Sequence, residues 1–138
     1  MSGISIKAVV LATLAVLGID VIAGYLLASF YGGEAVRDAT TDEEIAAVSA
    51  ALLANRGYLA AILVEGTATT VLGGYLAARL ARVTPYFNAL AFGVMGLVLG
   101  ALLSVDVPTW FRALGLSLTL PAALVGGYLW KRSTTTGS

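Results

Sequence analysis

Residues 6–30 read IKAVVLATLAVLGIDVIAGYLLASF. After Lys7 this run holds a single charge, Asp20. As a helix rising about 1.5 Å per residue, it is long enough to cross a bilayer core of about 30 Å. Working outward from it, three further apolar runs follow at 57–81, 86–103 and 110–130. In lipid each run must satisfy its own backbone polar groups, so each is expected to be a helix. The expected fold class is an all-α integral membrane protein. It is read as a four-helix transmembrane bundle of up-down-up-down topology with a short external amphipathic helix, forming one membrane domain over residues 1–138.

Composition agrees with this reading. Of the 138 residues, 59% are hydrophobic and 12% charged, against about 25% charged in soluble domains. The mean hydropathy is +0.91. A net charge of zero carries no footprint for nucleic acid. Cysteine and histidine are both absent, which removes disulfides, thiol chemistry, the commonest metal ligands and the usual general base. No cofactor loop, metal shell or nucleophile–base pair is visible, so the chain reads as non-enzymatic.

The connections are consistent with alternating spans. Thr84 is expected to cap the third span, with Pro85 in its first turn. The stretch 104–109 forms a second tight turn around Asp106 and Pro108. The segment 31–56 is longer. Gly32 and Gly33 break the first helix, and Thr41-Asp42-Glu43-Glu44 fits a capping box before Ile45, Val48 and Leu52 at helical spacing. This predicts an amphipathic helix over 42–55, in a segment of net charge −3. The polar tail, 133–138, is expected to be loose.

Lys7, Arg79, Arg82, Lys131 and Arg132 fall on the side of the termini, against Arg37, Arg56 and Arg112 on the other. That bias puts both termini in the cytoplasm. Aromatic belts follow, with Tyr31, Tyr58 and Trp110 outside and Tyr75, Tyr86, Tyr128 and Trp130 inside. A cleaved leader is the rival reading of the first span. The length of the apolar run, its interruption by Asp20 and the lack of an A-x-A site argue for a retained span.

Asp20 and Glu65 are the candidate ion or ligand residues. A charge in hydrocarbon costs at least ~2.5 kcal/mol on insertion scales, so such groups face a bundle interior. Both acids fall just outward of mid-span, roughly 3–5 Å from the midplane by helical rise. Small residues surround each: Thr13, Ala23, Gly24 and Ala28 for Asp20, and Ala61, Ala68, Thr69 and Gly73 for Glu65. Two carboxyls held together cannot both ionise cheaply. The pair suits proton relay, cation binding or capture of a small cationic ligand. Structurally, Thr13, Thr67, Thr69, Ser117 or Thr119 would satisfy the acids, or Arg56 or Arg112 would fold inward to pair with one.

Glycines mark the expected helix-packing interfaces. Gly96 and Gly100 continue to Ser104 as a small-xxx-small stripe preceded by Gly93, and Gly66-Thr70-Gly74-Ala78 repeats that spacing. Gly24 belongs with them. Gly73-Gly74-Tyr75-Leu76 recurs as Gly126-Gly127-Tyr128-Leu129. Two readings are open: a pair of hairpins related by an axis along the membrane normal, or Gly-Gly-Tyr as interface chemistry. Pro121 interrupts the fourth span and is expected to bend it.

The chain has the size of the small multidrug exporters, fluoride channels and membrane-bound glutathione-type transferases. It resembles the exporters only in a first-span acid, and the channel and transferase signatures are not found. Gly-Gly-Tyr-Leu-Ala-Ala-Arg at 73–79 resembles a phrase common in small bacterial membrane proteins, which implies a bacterial inner membrane. The leading expectation is an accessory or scaffolding subunit, with the lipid bilayer and a homo-oligomer or larger membrane complex as partners. The alternative is a proton- or cation-coupled small transporter or channel acting as a homo-oligomer through Asp20 and Glu65.

Overall fold

The computed structural model describes residues 3–104 and 106–137. Val105 and Ser138, which belong to the predicted turn and tail, lie outside the described residues. The chain is all-helical: α1 (Ile6–Gly32), α2 (Glu34–Asp38), α3 (Asp42–Leu53), α4 (Arg56–Ala81), α5 (Pro85–Leu103) and α6 (Thr109–Thr135). Four of these, α1, α4, α5 and α6, are long and apolar enough to cross a membrane. The shortest, α5, has 19 residues, roughly 28 Å of helix.

Local chemistry sets the ends. The Ser5 hydroxyl accepts from the Ala8 amide to start α1, and Gly33 ends it at φ 61°, a conformation that favours glycine. Thr41 and Glu44 form the predicted capping box at α3. Asn55 does not end α3 but caps α4, its side chain accepting from the Tyr58 amide at 3.1 Å. The one-turn α2 was not anticipated, having no apolar periodicity of its own. Thr84 precedes α5 but makes no capping bond from its side chain. Its hydroxyl instead donates to the Gly3 carbonyl at 3.1 Å. The tail corrects the expectation of a loose end: α6 runs to Thr135, and the Ser133, Thr134 and Thr135 hydroxyls donate to carbonyls of Trp130 and Lys131 on the same helix. The helix also continues through Pro121.

The packing is inverted relative to a soluble protein. Val21, Ile22, Leu26, Phe30, Val64, Phe87, Leu102 and Leu103 are exposed on the outside. The buried core is largely alanine, with Ala12, Ala77, Ala78, Ala89 and Ala123 beside Val9, Val16 and Phe92. Small residues let helix backbones approach where apolar burial from water gives no drive. With the four long apolar helices, this packing is compatible with an integral membrane protein.

Helices α4 and α6 pack backbone to backbone. A Cβ on Gly74 would fall 2.1 Å from the Ala123 carbonyl oxygen, and one on Gly126 would fall 2.1 Å from that of Val71. Gly73 and Gly127 turn instead toward α5, against Phe92 and Ala89. The two glycine pairs therefore exchange roles: the second glycine of α4 meets the first of α6. A twofold axis would match the Gly74–Gly126 contact with one between Gly73 and Gly127, and these two face α5 instead. Helix α1 packs on α4 and α5, and among the described residues its backbone does not reach α6. That separation between α1 and α6 holds the site.

At one end of α1, Tyr31 meets Tyr58 edge to face at 5.9 Å. At the other, the Ser5 amide donates to Asn88 Oδ1 at 2.7 Å, while Asn88 Nδ2 donates to the carbonyls of Val83 and Thr84. Asn88 is fully buried. It ties the start of α1 to the α4–α5 turn.

Candidate functional site

Asp20 projects from α1 and Glu65 from α4, and the two side chains meet. The Asp20 carboxyl is the charged neighbour of Glu65. Two groups on different helices are brought to one level, as equal depth from the sequence requires. Neither Asp20 Oδ1 nor Glu65 Oε1, both enclosed, has a hydrogen-bond partner. No arginine pairs with either acid among the described residues; Arg112 donates to the Ala101 carbonyl at 3.0 Å instead.

Asp20 lines two cavities. One, of about 200 Å³, lies between α1, α4 and α6 and includes Gly66, Thr67, Thr70, Phe111, Gly115 and Thr119. The other, of about 210 Å³, lies toward α5 and includes Thr13, Val16, Thr70, Phe92, Gly96 and Thr119. Asp20, Thr70 and Thr119 belong to both. Each space has room for several waters at about 30 Å³ apiece. Glu65 lines neither cavity, so Asp20 is the cavity-facing acid and Glu65 stands beside it.

The cavity hydroxyls have already placed their protons. Thr13 donates to the Val9 carbonyl, Thr67 to Leu63, Thr70 to Gly66 and Thr119 to Gly115, at 2.6–2.8 Å. This corrects the expectation that these groups satisfy the acids. In an apolar helix a hydroxyl's nearest acceptor is the carbonyl one turn back, and that bond forms first. Their oxygens keep free lone pairs. The site thus presents oxygen acceptors and no free side-chain donor, an environment for a cation or a proton and a poor one for an anion.

Two other predicted supports sit elsewhere. Thr69 is buried but lines neither cavity, and its hydroxyl donates to Gly66. Ser117 is exposed and donates to Ala113. Thr70 was missed as a site residue because its place in the Gly66-Thr70-Gly74 stripe reads as packing; its one-turn spacing from Thr67 was the available signal.

The glycines divide likewise. A Cβ on Gly93 would fall 3.0 Å from Ala123 and Leu120, one on Gly96 3.3 Å from Thr119 and one on Gly100 3.4 Å from Leu116, so the α5 stripe lies against α6. Gly24 and Gly66 are corrected as packing positions, since a Cβ on either would meet nothing within 4 Å. At Gly66 the open space is the first cavity. Among the described residues no three acidic, histidine or cysteine side chains gather. A metal ion here would rest on two carboxyls and hydroxyl oxygens. No family model, curated protein or solved structure matches the chain.

Proposed function

We propose that this is a small multi-pass membrane protein that binds a proton or a small monovalent cation at Asp20 and couples the two across the bilayer. The observation that carries the reading is the unpartnered Asp20–Glu65 pair at the junction of two cavities. Two like charges 4 Å apart repel by about 4 kcal/mol at an effective dielectric of 20. One proton or one cation held between the carboxyls relieves that repulsion, and each displaces the other. Asp20 faces both cavities, Glu65 stands beside it, and the Thr70 and Thr119 oxygens line the same two cavities.

In the proposed topology α1, α4, α5 and α6 cross the bacterial inner membrane alternately, with both termini cytoplasmic. The distribution of Lys7, Arg79, Arg82, Lys131 and Arg132 supports that direction. Within the chain Gly73, Gly74, Gly93, Gly126 and Gly127 are occupied, which leaves Gly24 and Gly66 as the open small positions for an accessory-subunit contact.

The test is flux. The full chain is placed in liposomes enclosing a pH-sensitive dye, and gradients of sodium, potassium or methylammonium are imposed. Internal pH is expected to follow at least one gradient, with Asp20→Asn abolishing the response and Glu65→Gln weakening it. A wild-type trace matching empty liposomes for every cation overturns the reading, as does an active Asp20→Asn protein of intact helicity.

A further inference from the structure

We infer that the groove formed by the ends of α4 and α6 is a binding site for the phosphate head of an anionic phospholipid. The groove is about 1080 Å³ and is lined by Tyr75, Leu76, Arg79, Leu80, Arg82 and Trp130. Arg79 lies one turn beyond Tyr75, and Arg82 follows as the left-handed residue closing α4. Tyr75 and Trp130 stand edge to face at 5.8 Å and form the aromatic wall. Neither guanidinium has a hydrogen-bond or carboxylate partner among the described residues.

Charge separation along the molecule makes this end purely basic. Lys7, Arg79, Arg82, Lys131 and Arg132 gather there. The acids lie in mid-helix, at Asp20 and Glu65, or on the far side in 34–44 and at Asp106. Lys131 is engaged over the Tyr86 ring at 5.2 Å, so the two arginines are the free cations of the groove. The carbonyl end of α4 opposes an anion with about half a negative charge, and two full positive charges outweigh it. Guanidinium groups match phosphate oxygens in pairs. A basic pocket at the end of membrane helices is a lipid-head site by the same chemistry.

The lining favours a lipid over free phosphate. Leu76, Leu80 and the two rings give the groove an apolar flank along which an acyl chain runs once the head is held by Arg79 and Arg82. An inorganic phosphate would leave that flank empty and most of the volume to water.

Trp130 is a built-in reporter. Trp110→Phe leaves it as the single tryptophan of the chain. The full chain carrying that change is reconstituted in phosphatidylcholine vesicles with added brominated phosphatidylglycerol or brominated phosphatidylcholine, and Trp130 emission is followed. Brominated phosphatidylglycerol is expected to half-quench at a mole fraction on the order of tenfold lower. Arg79→Gln with Arg82→Gln should remove the preference, while Lys131→Gln with Arg132→Gln keeps most of it. Equal quenching by the two lipids overturns the inference without any variant. A loss as large in the Lys131/Arg132 pair overturns it in favour of a diffuse basic belt. Erasure of the preference by soluble glycerol phosphate overturns it in favour of a free-phosphate site. None of these outcomes depends on cation coupling at Asp20.

Discussion

Gly74 of α4 and Gly126 of α6 face one another where the two helix backbones meet, each with a carbonyl oxygen of the opposing helix 2.1 Å from where its Cβ would lie. Backbone cannot turn aside as a side chain can, so a methyl at either position forces the helices apart. Gly74→Ala or Gly126→Ala is expected to destabilise the protein by about 3 kcal/mol or more, the upper end for overpacking. Gly73→Ala should cost less. Its Cβ would strike the Phe92 ring, and Phe92 borders the second cavity, into which the ring can swing. Thermal unfolding in mild detergent, followed by circular dichroism, gives the order. Equal losses at Gly73 and Gly74 would contradict the distinction between ring and backbone contact.

Gly66 gives the opposite prediction from the same helix. A Cβ there meets open space inside the first cavity, and alanine in a helix interior is favoured over glycine by roughly 0.5–1 kcal/mol. Gly66→Ala should therefore unfold at the same temperature or slightly higher. Gly66→Leu, which fills the space beside Asp20, should suppress cation-linked pH change in liposomes while helicity is retained. A leucine variant with full flux would show that the first cavity is not part of the path.

The four long helices were legible because hydropathy is a one-dimensional signal, and the Asp20–Glu65 pair was legible because helical rise converts residue number into depth. Rotation of a helix about its own axis is not encoded that way. Thr67, Thr69 and Thr70 lie about 100° apart per residue around α4; Thr67 and Thr70 border the first cavity and Thr69 does not. That choice is set by Gly74 docking on Ala123, a contact between residues 49 positions apart. Asn88 was invisible for a different reason. A lone amide in an apolar run has no spacing to announce it, and its partner Ser5 is 83 residues away.

Acid should loosen the start of α3. The Glu44 carboxylate accepts from the Thr40 amide at 2.9 Å and the Thr41 amide at 3.4 Å. These bonds hold its pKa below the ordinary glutamate value of 4.5, the Thr40 amide contributing most. The folded helix thus prefers the ionised form more strongly than the unfolded chain does. The resulting stability is complete above the ordinary glutamate value and is lost as pH falls through the lowered one. Amide exchange in residues 42–46, corrected for intrinsic rate, should accelerate on acidification, and Glu44→Ala should remove the pH dependence. Identical pH profiles for the two proteins would show that the capping box does not titrate as described.

Asn88 offers a way to separate folding from function. It is fully buried, accepts from the Ser5 amide at 2.7 Å and donates to the Val83 carbonyl at 2.9 Å and the Thr84 carbonyl at 3.1 Å. Asn88→Leu removes every one of these side-chain bonds; the Ser5 amide and the Val83 carbonyl lose their partner, while the Thr84 carbonyl keeps the residue 88 amide. The first effect should appear at the start of α1, where the Ser5 amide loses its acceptor and exchanges faster. Asp20 lies 15 residues further along the same helix, roughly 22 Å away, so flux per folded molecule should be unchanged. Asn88→Asp should be worse than leucine, because it keeps the acceptor for Ser5 but sets a negative charge against two carbonyl oxygens. Unaltered exchange at Ser5 in Asn88→Leu would mean that α1 is held by its apolar contacts with α4 and α5 alone.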